Sequence, residues 1–323
     1  MRKDDHTIPL ILQKLANYLG AEIKNRKLEI PAGFGHGYCI GFVFNAHIRM
    51  LISNYELNED ISLENPERDD PKKMIFFKFQ NIFNKRGGYL SGKYSKEMPS
   101  VLIATSRINT DGIISIHSNT STINIEVDAE YLSGLFNTAG LSPILQSLLQ
   151  NTQPYLFEQI IYPALQKVVD EILSESVGET FELFFMRIKT EEMICRLLIE
   201  LEKRDEKHIY ALNNRDIEIL YRVRDQILEH LETPPAISKL VVTFGMSATK
   251  LKRLFRQIFG NSIFSYYQEF RIRKAANLLQ KKKYSVSEVG YAMGFTNLSH
   301  FSKVFKAHIG VNPKQYTMTY TIE

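Results

Sequence analysis

Two stretches of this 323-residue chain place short hydroxyls and long cations on one side of a helical repeat. At 100° per residue, Leu251, Leu254, Phe255 and Ile258 form an apolar stripe, and Thr249, Lys252, Arg253 and Arg256 point away from it. Further on, Phe301, Val304 and Phe305 form a second stripe with His308 beside it, and Ser299, Ser302, Lys303 and Lys306 face outward. A solvated helix face ordinarily mixes both signs of charge, yet neither of these carries an acid. Hydroxyls, Lys and Arg bond phosphate oxygens and base edges, and Arg grips a guanine edge with two bonds. An acid would be repelled from a groove walled by phosphates. The chemistry these positions suit is recognition of double-stranded DNA. His308 stands where the first stripe has Ile258, which suits a capping or half-buried histidine better than a ligand.

The elements that must hold these faces come as an internal repeat. Ile237–Gly245 (ISKLVVTFG) parallels Val286–Gly294 (VSEVGYAMG), and Leu251, Leu254, Phe255 and Gly260 match Phe301, Val304, Phe305 and Gly310. Each copy reads as a short helix, a turn at Gly and a second helix ending at Gly, because Gly takes the left-handed backbone such turns need. Ser247 suits the N-cap of one second helix, and Thr296 or Asn297 that of the other. This is helix-turn-helix architecture, present twice. Between the copies, Phe264–Gln280 (FSYYQEFRIRKAANLLQ) reads as one continuous helix with Phe264, Tyr267, Phe270, Ala275, Leu278 and Leu279 apolar. Its length of roughly 25 Å sets the two recognition helices close to one DNA turn apart, about 34 Å. Arg271, Arg273 and Lys274 are expected on backbone phosphates. The triplet Lys281–Lys283 suits phosphate contact and a solvated turn equally.

Charge divides along the chain. From Asn214 to Glu323 there are 17 Lys and Arg against 8 Asp and Glu, whereas the remainder has 23 against 28. A basic C-terminal third on an acidic body suits a polyanion partner for that third alone. The hydrophobic share of 44% and charged share of 24% are those of an ordinary soluble globular protein. No apolar run approaches the roughly 18 residues of a membrane span, and the amphipathic start (Leu10, Ile11, Leu15, Leu19) lacks the core of a signal peptide. Two isolated cysteines, Cys39 and Cys195, form no disulfide framework, so a cytoplasmic setting is expected.

The expected fold class is α+β. Residues 1–150 are β-rich, with short β-branched and aromatic runs at Tyr38–Phe44, His47–Ile52, Met74–Phe79, Ser100–Thr105, Gly112–His117 and Thr122–Val127. That spacing predicts an antiparallel sandwich or small barrel. Residues 151–205 read as helical through Pro154–Ser174 and Glu179–Leu201, residues 206–215 as a linker, and residues 216–323 as an all-α double helix-turn-helix domain.

The region from about Ile217 to Tyr316 resembles the AraC/XylS family of bacterial transcription regulators. The resemblance is carried by Met246–Phe255 (MSATKLKRLF), Phe264–Ala275 with Leu278 and Leu279, Val286–Phe295, Ser299–Lys306 (SHFSKVFK) and Gly310–Tyr316 (GVNPKQY). It implies base contacts from Thr249, Lys252 and Arg253 in the first copy and from Leu298, Ser299, Ser302 and Lys303 in the second. Leu298 rests on the resemblance alone. The family usually has Thr or Ser where this chain has Asn312, and often Arg where it has Thr317. The resemblance further implies a ligand-responsive regulator, expected to be an activator, acting at promoter DNA with RNA polymerase. It implies a cupin-like barrel in the N-terminal half that binds a small-molecule effector. Residues 154–201 would then dimerise, or equally pack on the barrel.

Other chemistry finds little support. Gly33–Gly37 (GFGHG) has the glycines of a phosphate loop but leads into a strand rather than a helix. His36, His47 and His117 lie in the β-rich half, but no His-x-His with a following Glu accompanies them, so no metal and no cofactor are expected. The alternatives weighed are a metal-dependent cupin-type enzyme with a helical tether, and an effector-independent DNA-binding interaction protein.

Overall fold

Alternation turns successive residues of each strand in the first half to opposite faces of the sheet. The computed structural model describes residues 7–64, 73–82, 99–106, 113–116, 119–137, 139–204, 208–281 and 283–319. Up to Asn214 they comprise strands β1 (Lys27–Glu29), β2 (Gly35–Val43), β3 (Ile48–Leu57), β4 (Ile61–Glu64), β5 (Met74–Gln80), β6 (Ser100–Thr105), β7 (Ile113–Ile116), β8 (Asn119–Asp128) and β9 (Leu156–Ile160). The helices there are α1 (Leu10–Leu19), α2 (Ala129–Gly134), α3 (Pro143–Gln150), α4 (Pro163–Ser174) and α5 (Glu179–Glu202). Seven strands pair antiparallel in the order β1-β2-β3-β8-β5-β6-β9, and β4 pairs with β7.

One face of the large sheet is the core. Met50 and Ile52 of β3, Ile75 and Phe77 of β5, and Ile123 and Ile125 of β8 are buried in one cluster with Leu165 and Val168 of α4 and Met193, Leu197 and Leu201 of α5. On the opposite face, α1 packs Leu12, Leu15 and Leu19 into a separate cluster with Leu28, Cys39, Tyr55 and Leu57. Cys39 is sealed there, and burial pushes its thiol up to about 12. Among the described residues no helix is long and apolar enough to cross a membrane.

Several expectations need correction. The cupin-like barrel is not closed: β1 and β9 are the two ends of an open sheet. The stretch from Pro154, read as helical, begins with strand β9, and the helix starts only at Pro163. A short apolar run of this kind fits either period, and its pairing with β6 decides it. The helices of residues 151–205 contribute apolar residues to the core of the sheet. Part of the expected linker is anchored as well. Leu212 is buried and its N–H donates to the Pro154 carbonyl at 3.0 Å, and Ile209 packs on the same core. Gly35 and Gly37 serve strand pairing: a Cβ on Gly37 would lie 2.3 Å from the Asn54 carbonyl oxygen of β3.

From Arg215 the chain forms a second unit. It comprises α6 (Asn214–Glu229), α7 (Ile237–Phe244), α8 (Ala248–Phe259), α9 (Ile263–Gln280), α10 (Val286–Ala292), α11 (Leu298–Ile309) and α12 (Pro313–Thr319). Helices α7–α8 and α10–α11 are the two repeat copies. Helix α9 serves both. Tyr266 meets the rings of Phe255 and Phe259 of the first copy and of Phe270 in its own helix, and Ile272, Ala275 and Leu279 enter a cluster with Val289, Phe301 and Phe305 of the second. Tyr267 sends its hydroxyl to the Leu231 carbonyl at 2.8 Å, which fixes the bend after α6.

That bend meets the second copy at Gly294. Gly294 has φ 72°, and a Cβ there would fall 2.0 Å from the Glu232 carbonyl oxygen. Gly245, its counterpart, has φ 62° and open space around it. Urea unfolding of the full chain should therefore separate them. Gly245→Ala carries only the left-handed backbone penalty of about 1–2 kcal/mol, and Gly294→Ala adds a backbone clash that brings it to about 3 kcal/mol or more. Equal losses at the two positions would contradict this packing.

Candidate nucleic-acid interface

Each recognition face is built from its caps inward. Ser247 N-caps α8, its hydroxyl accepting from the Lys250 N–H, and Gly260 closes the helix with φ 72°. Asn297 N-caps α11, its side chain accepting from the His300 N–H, and Gly310 closes it with φ 91°. Both helices have the same length, 12 residues. Leu251, Leu254, Phe255 and Ile258 are buried under α8, and Phe301 and Phe305 under α11.

The outward residues emerge as expected on α8: Thr249, Lys252, Arg253 and Arg256 are all exposed. On α11, Ser299, Lys303 and Lys306 are exposed and Ser302 is half-buried. No Asp or Glu occurs in either helix. His308 is exposed near the end of α11, with Nδ1 3.0 Å from the Val304 carbonyl oxygen. Asn312 replaces the usual hydroxyl effectively: its side chain accepts from the Gln315 N–H at 2.9 Å and opens α12.

Leu298 is placed differently from the rest. It is half-buried against α10, where a Cβ on Gly290 would meet its Cδ2 at 2.7 Å. Its packing against Gly290 sets how closely α11 lies on α10.

Of the three residues expected on backbone phosphates, Arg271 does not face solvent. It is 5% exposed. Its guanidinium lies 3.6 Å from the centre of the Phe295 ring, donates through Nε to the Met293 carbonyl, and reaches Gln268 Oε1 at 3.3 Å. Burial lowers its pKa from the ordinary arginine value, against a smaller opposing pull from Tyr267. Arg273 is half-buried and paired with Glu269 at 2.8 Å within the same helix. Lys274 is half-buried too. Phe264, expected on the apolar side of α9, is exposed instead. Lys281 and Lys283 are exposed, and Lys282 lies outside the described residues.

Two features escaped the sequence reading. Lys250 points back into the unit, where Nζ pairs with Asp216 Oδ1 at 2.7 Å and ties α8 to α6. Val242 of α7 and Tyr291 of α10, at matching repeat positions, are 83% and 60% exposed. The repeat alignment already paired them, and a helical wheel of each first helix would have shown both facing outward.

The metal reading finds no cluster. Among the described residues no group of three or more His, Cys, Asp or Glu is placed to hold an ion. His47 stacks on Tyr131 at 4.7 Å and faces Asp128 at 3.5 Å. His36 lies on the surface 3.6 Å from Glu56, and His117 is outside the described residues.

The Arg271 arrangement makes a stability prediction. Arg271→Met should lower the urea stability of the full chain by about 1–3 kcal/mol, because the Met293 carbonyl loses its donor in a buried setting. Arg271→Lys should recover only part of that, lacking the flat, stacking guanidinium. A neutral Arg271→Met would place the guanidinium in water.

Comparison with known proteins agrees with this architecture. A family model for a helix-turn-helix domain matches residues 240–318. The HTH-type transcriptional regulator MtrA of Neisseria gonorrhoeae is 29% identical over 173 residues, 52% of this chain and 57% of that protein. The arabinose operon regulatory protein of Escherichia coli is 25% identical over 170 residues, 53% of this chain and 56% of that protein. The HTH-type transcriptional regulator GlxA of Rhizobium meliloti is 36% identical over 91 residues, 27% of this chain and 28% of that protein. The chain thus spans about half the length, or less, of the curated relatives it matches. The duplicated helix-turn-helix and its connecting helix thus lie in a stretch that matches a helix-turn-helix domain and is similar to transcription regulators, among them the arabinose operon regulatory protein.

Proposed function

We propose that the protein is a sequence-specific DNA-binding transcription regulator whose first unit senses a small molecule and forms a homodimer. The DNA part rests on one observation: the outward faces of α8 and α11 carry hydroxyls and cations and no acid. Helix α9, at 18 residues, spans about 27 Å, so the two recognition helices suit successive major-groove segments of slightly bent DNA. Arg253 and Arg256 give α8 the groups for bidentate guanine readout, and Lys303 and Lys306 give α11 phosphate anchors.

A salt titration of promoter-fragment binding tests this. Affinity should fall steeply, by about 0.9 log unit per log unit of salt for each phosphate engaged. Lys306→Gln should reduce that slope by about one while leaving site preference intact. Arg253→Ala should instead relax preference at one base pair, at about 1–3 kcal/mol. A flat salt response, or no preference for any promoter fragment over random DNA, rules the reading out.

The dimer part rests on α5, which is apolar on two opposite sides. Met186, Met193, Ile194, Leu197 and Leu201 enter the core. Phe181, Phe184, Ile188, Cys195 and Ile199 are exposed and fall within about 60° of one another at 100° per residue. Packing on the sheet and self-association thus use different faces of one helix. Phe184→Glu with Ile188→Glu should turn a dimer into a monomer by sedimentation equilibrium without lowering the melting temperature of the monomer. A natural chain that sediments as a monomer at all concentrations contradicts it.

A further inference from the structure

The first unit holds a half-open cavity of about 250 Å³ where the start of α1 meets the turn from β2 into β3. Part of its lining is apolar: Ile8, Pro9 and Leu10 beside α1, Val43 at the end of β2, and Met74 at the start of β5. The rest is polar, with Gln13 from α1 and Asn45, His47 and Arg49 from the turn and β3. Among the described residues no acid lines it. Its volume falls just under the usual range of ligand sites, about 300–1,000 Å³, so its ligand is small.

The polar groups are held in place. Asn45 Oδ1 accepts from the N–H groups of His47 and Ile48 at 2.7 and 2.8 Å, and its Nδ2 makes no bond among the described residues. The His47 ring lies flat on Tyr131 and turns Nδ1 to Asp128 Oδ2 at 3.5 Å, and its Nε2 makes no bond among the described residues. Tyr131 interacts in turn with Arg187 of α5. Arg49 donates through Nε to Glu126 Oε2 at 2.7 Å.

Asp128 decides what His47 offers. Burial raises the Asp128 pKa, but bonds from the Tyr131 and Glu130 N–H groups and from His47 outweigh it and lower it. An ionised carboxylate only accepts, so Nδ1 carries the proton, and in the neutral ring Nε2 is left as an acceptor. The cavity thus presents one acceptor and one donor, two residues apart on a bonded turn. A hydroxyl group satisfies both at once. Charged ligands fit less well. An ammonium finds no acid in the lining, and a carboxylate is repelled by Asp128 and Glu126, each bonded to a lining residue.

We infer that this cavity binds a small uncharged phenol or alcohol, its hydroxyl donating to His47 Nε2 and accepting from Asn45 Nδ2, its apolar body against Pro9, Leu10, Val43 and Met74. The inference rests on the reading of the first unit as the sensing part, and names the site and the class of what it senses.

The test uses the full chain with carbon-13 histidine at about pH 8, where an ordinary imidazole is neutral. The His47 ring NMR signal is assigned by its loss in His47→Phe, which keeps a flat ring for Tyr131 and removes the acceptor. Phenol and benzyl alcohol should shift that signal saturably and raise the melting temperature. Benzoate and benzylamine should do neither, and toluene should bind at least about tenfold more weakly than phenol. His47→Phe should lose at least about tenfold in phenol affinity. Ala46→Trp, at an exposed position of the lining, should melt at the natural temperature and no longer respond to phenol. If no probe moves the His47 signal saturably, or if Ala46→Trp still binds phenol, the site fails. Toluene binding as tightly as phenol removes the hydroxyl contact, and benzoate or benzylamine binding in place of phenol removes the uncharged class. Phenol binding that leaves promoter affinity unchanged removes the sensing reading and keeps the site. A molecule that changes promoter affinity with the His47 signal unmoved keeps sensing and overturns this cavity as its place.

Discussion

Burial of the Arg271 guanidinium is the constraint on which the second unit turns. A buried charge is tolerated only where its donors are bonded and its surroundings polarisable. Here the Met293 carbonyl takes Nε, Gln268 takes another nitrogen, and the Phe295 ring supplies a flat face. Met293, Gly294 and Phe295 make up the turn between α10 and α11, so α9 holds that turn directly. One turn earlier α9 holds the bend after α6 through Tyr267, and Glu232 of that bend lies against Gly294. The two helix-turn-helix copies are thus fixed by one helix and one bend. On the proposed reading their spacing is rigid, and the DNA supplies the deformation, which makes bendable sequence part of what is recognised.

This also explains which site residues could be read from sequence. The recognition faces depend on 3.6-residue periodicity and on glycines at fixed offsets, both local, and the α8 face emerged complete. Arg271 stands in a run, Arg-Ile-Arg-Lys, that resembles any basic helix surface. Its burial is decided by Phe295, far along the chain, and nothing near it in sequence signals that. Arg273 differs, since its partner Glu269 lies one turn earlier and an i,i+4 pair can be read directly. Leu298 shows the same limit from the other side: its place is set by the missing side chain of Gly290 in the neighbouring helix.

In the first unit the strands were legible and their assembly was not. Alternation located most of β2, β3, β5, β6 and β8. It could not tell strand β9 from the helix that follows, because five residues between two prolines fit either period. Closure into a barrel depends on whether the end strands meet, which no local pattern encodes. The cavity beside α1 was invisible for a related reason. His47 fits no metal pattern in the sequence, and the partners that fix its ring, Asp128 and Tyr131, lie far along the chain.

The same ring brings the two proposed activities of the first unit close together. His47 of the cavity stacks on Tyr131, and Tyr131 meets Arg187 of α5. Arg187 adjoins Ile188 and stands one turn from Phe184, both on the outer face proposed to dimerise. A ligand shifts an equilibrium only by its differential contacts with the two states. A hydroxyl compound held at His47 acts on the ring against which Tyr131 lies, and through it on the helix that carries the dimer face. Coupling between effector and dimer then needs no long path, only a change in how Tyr131 meets Arg187.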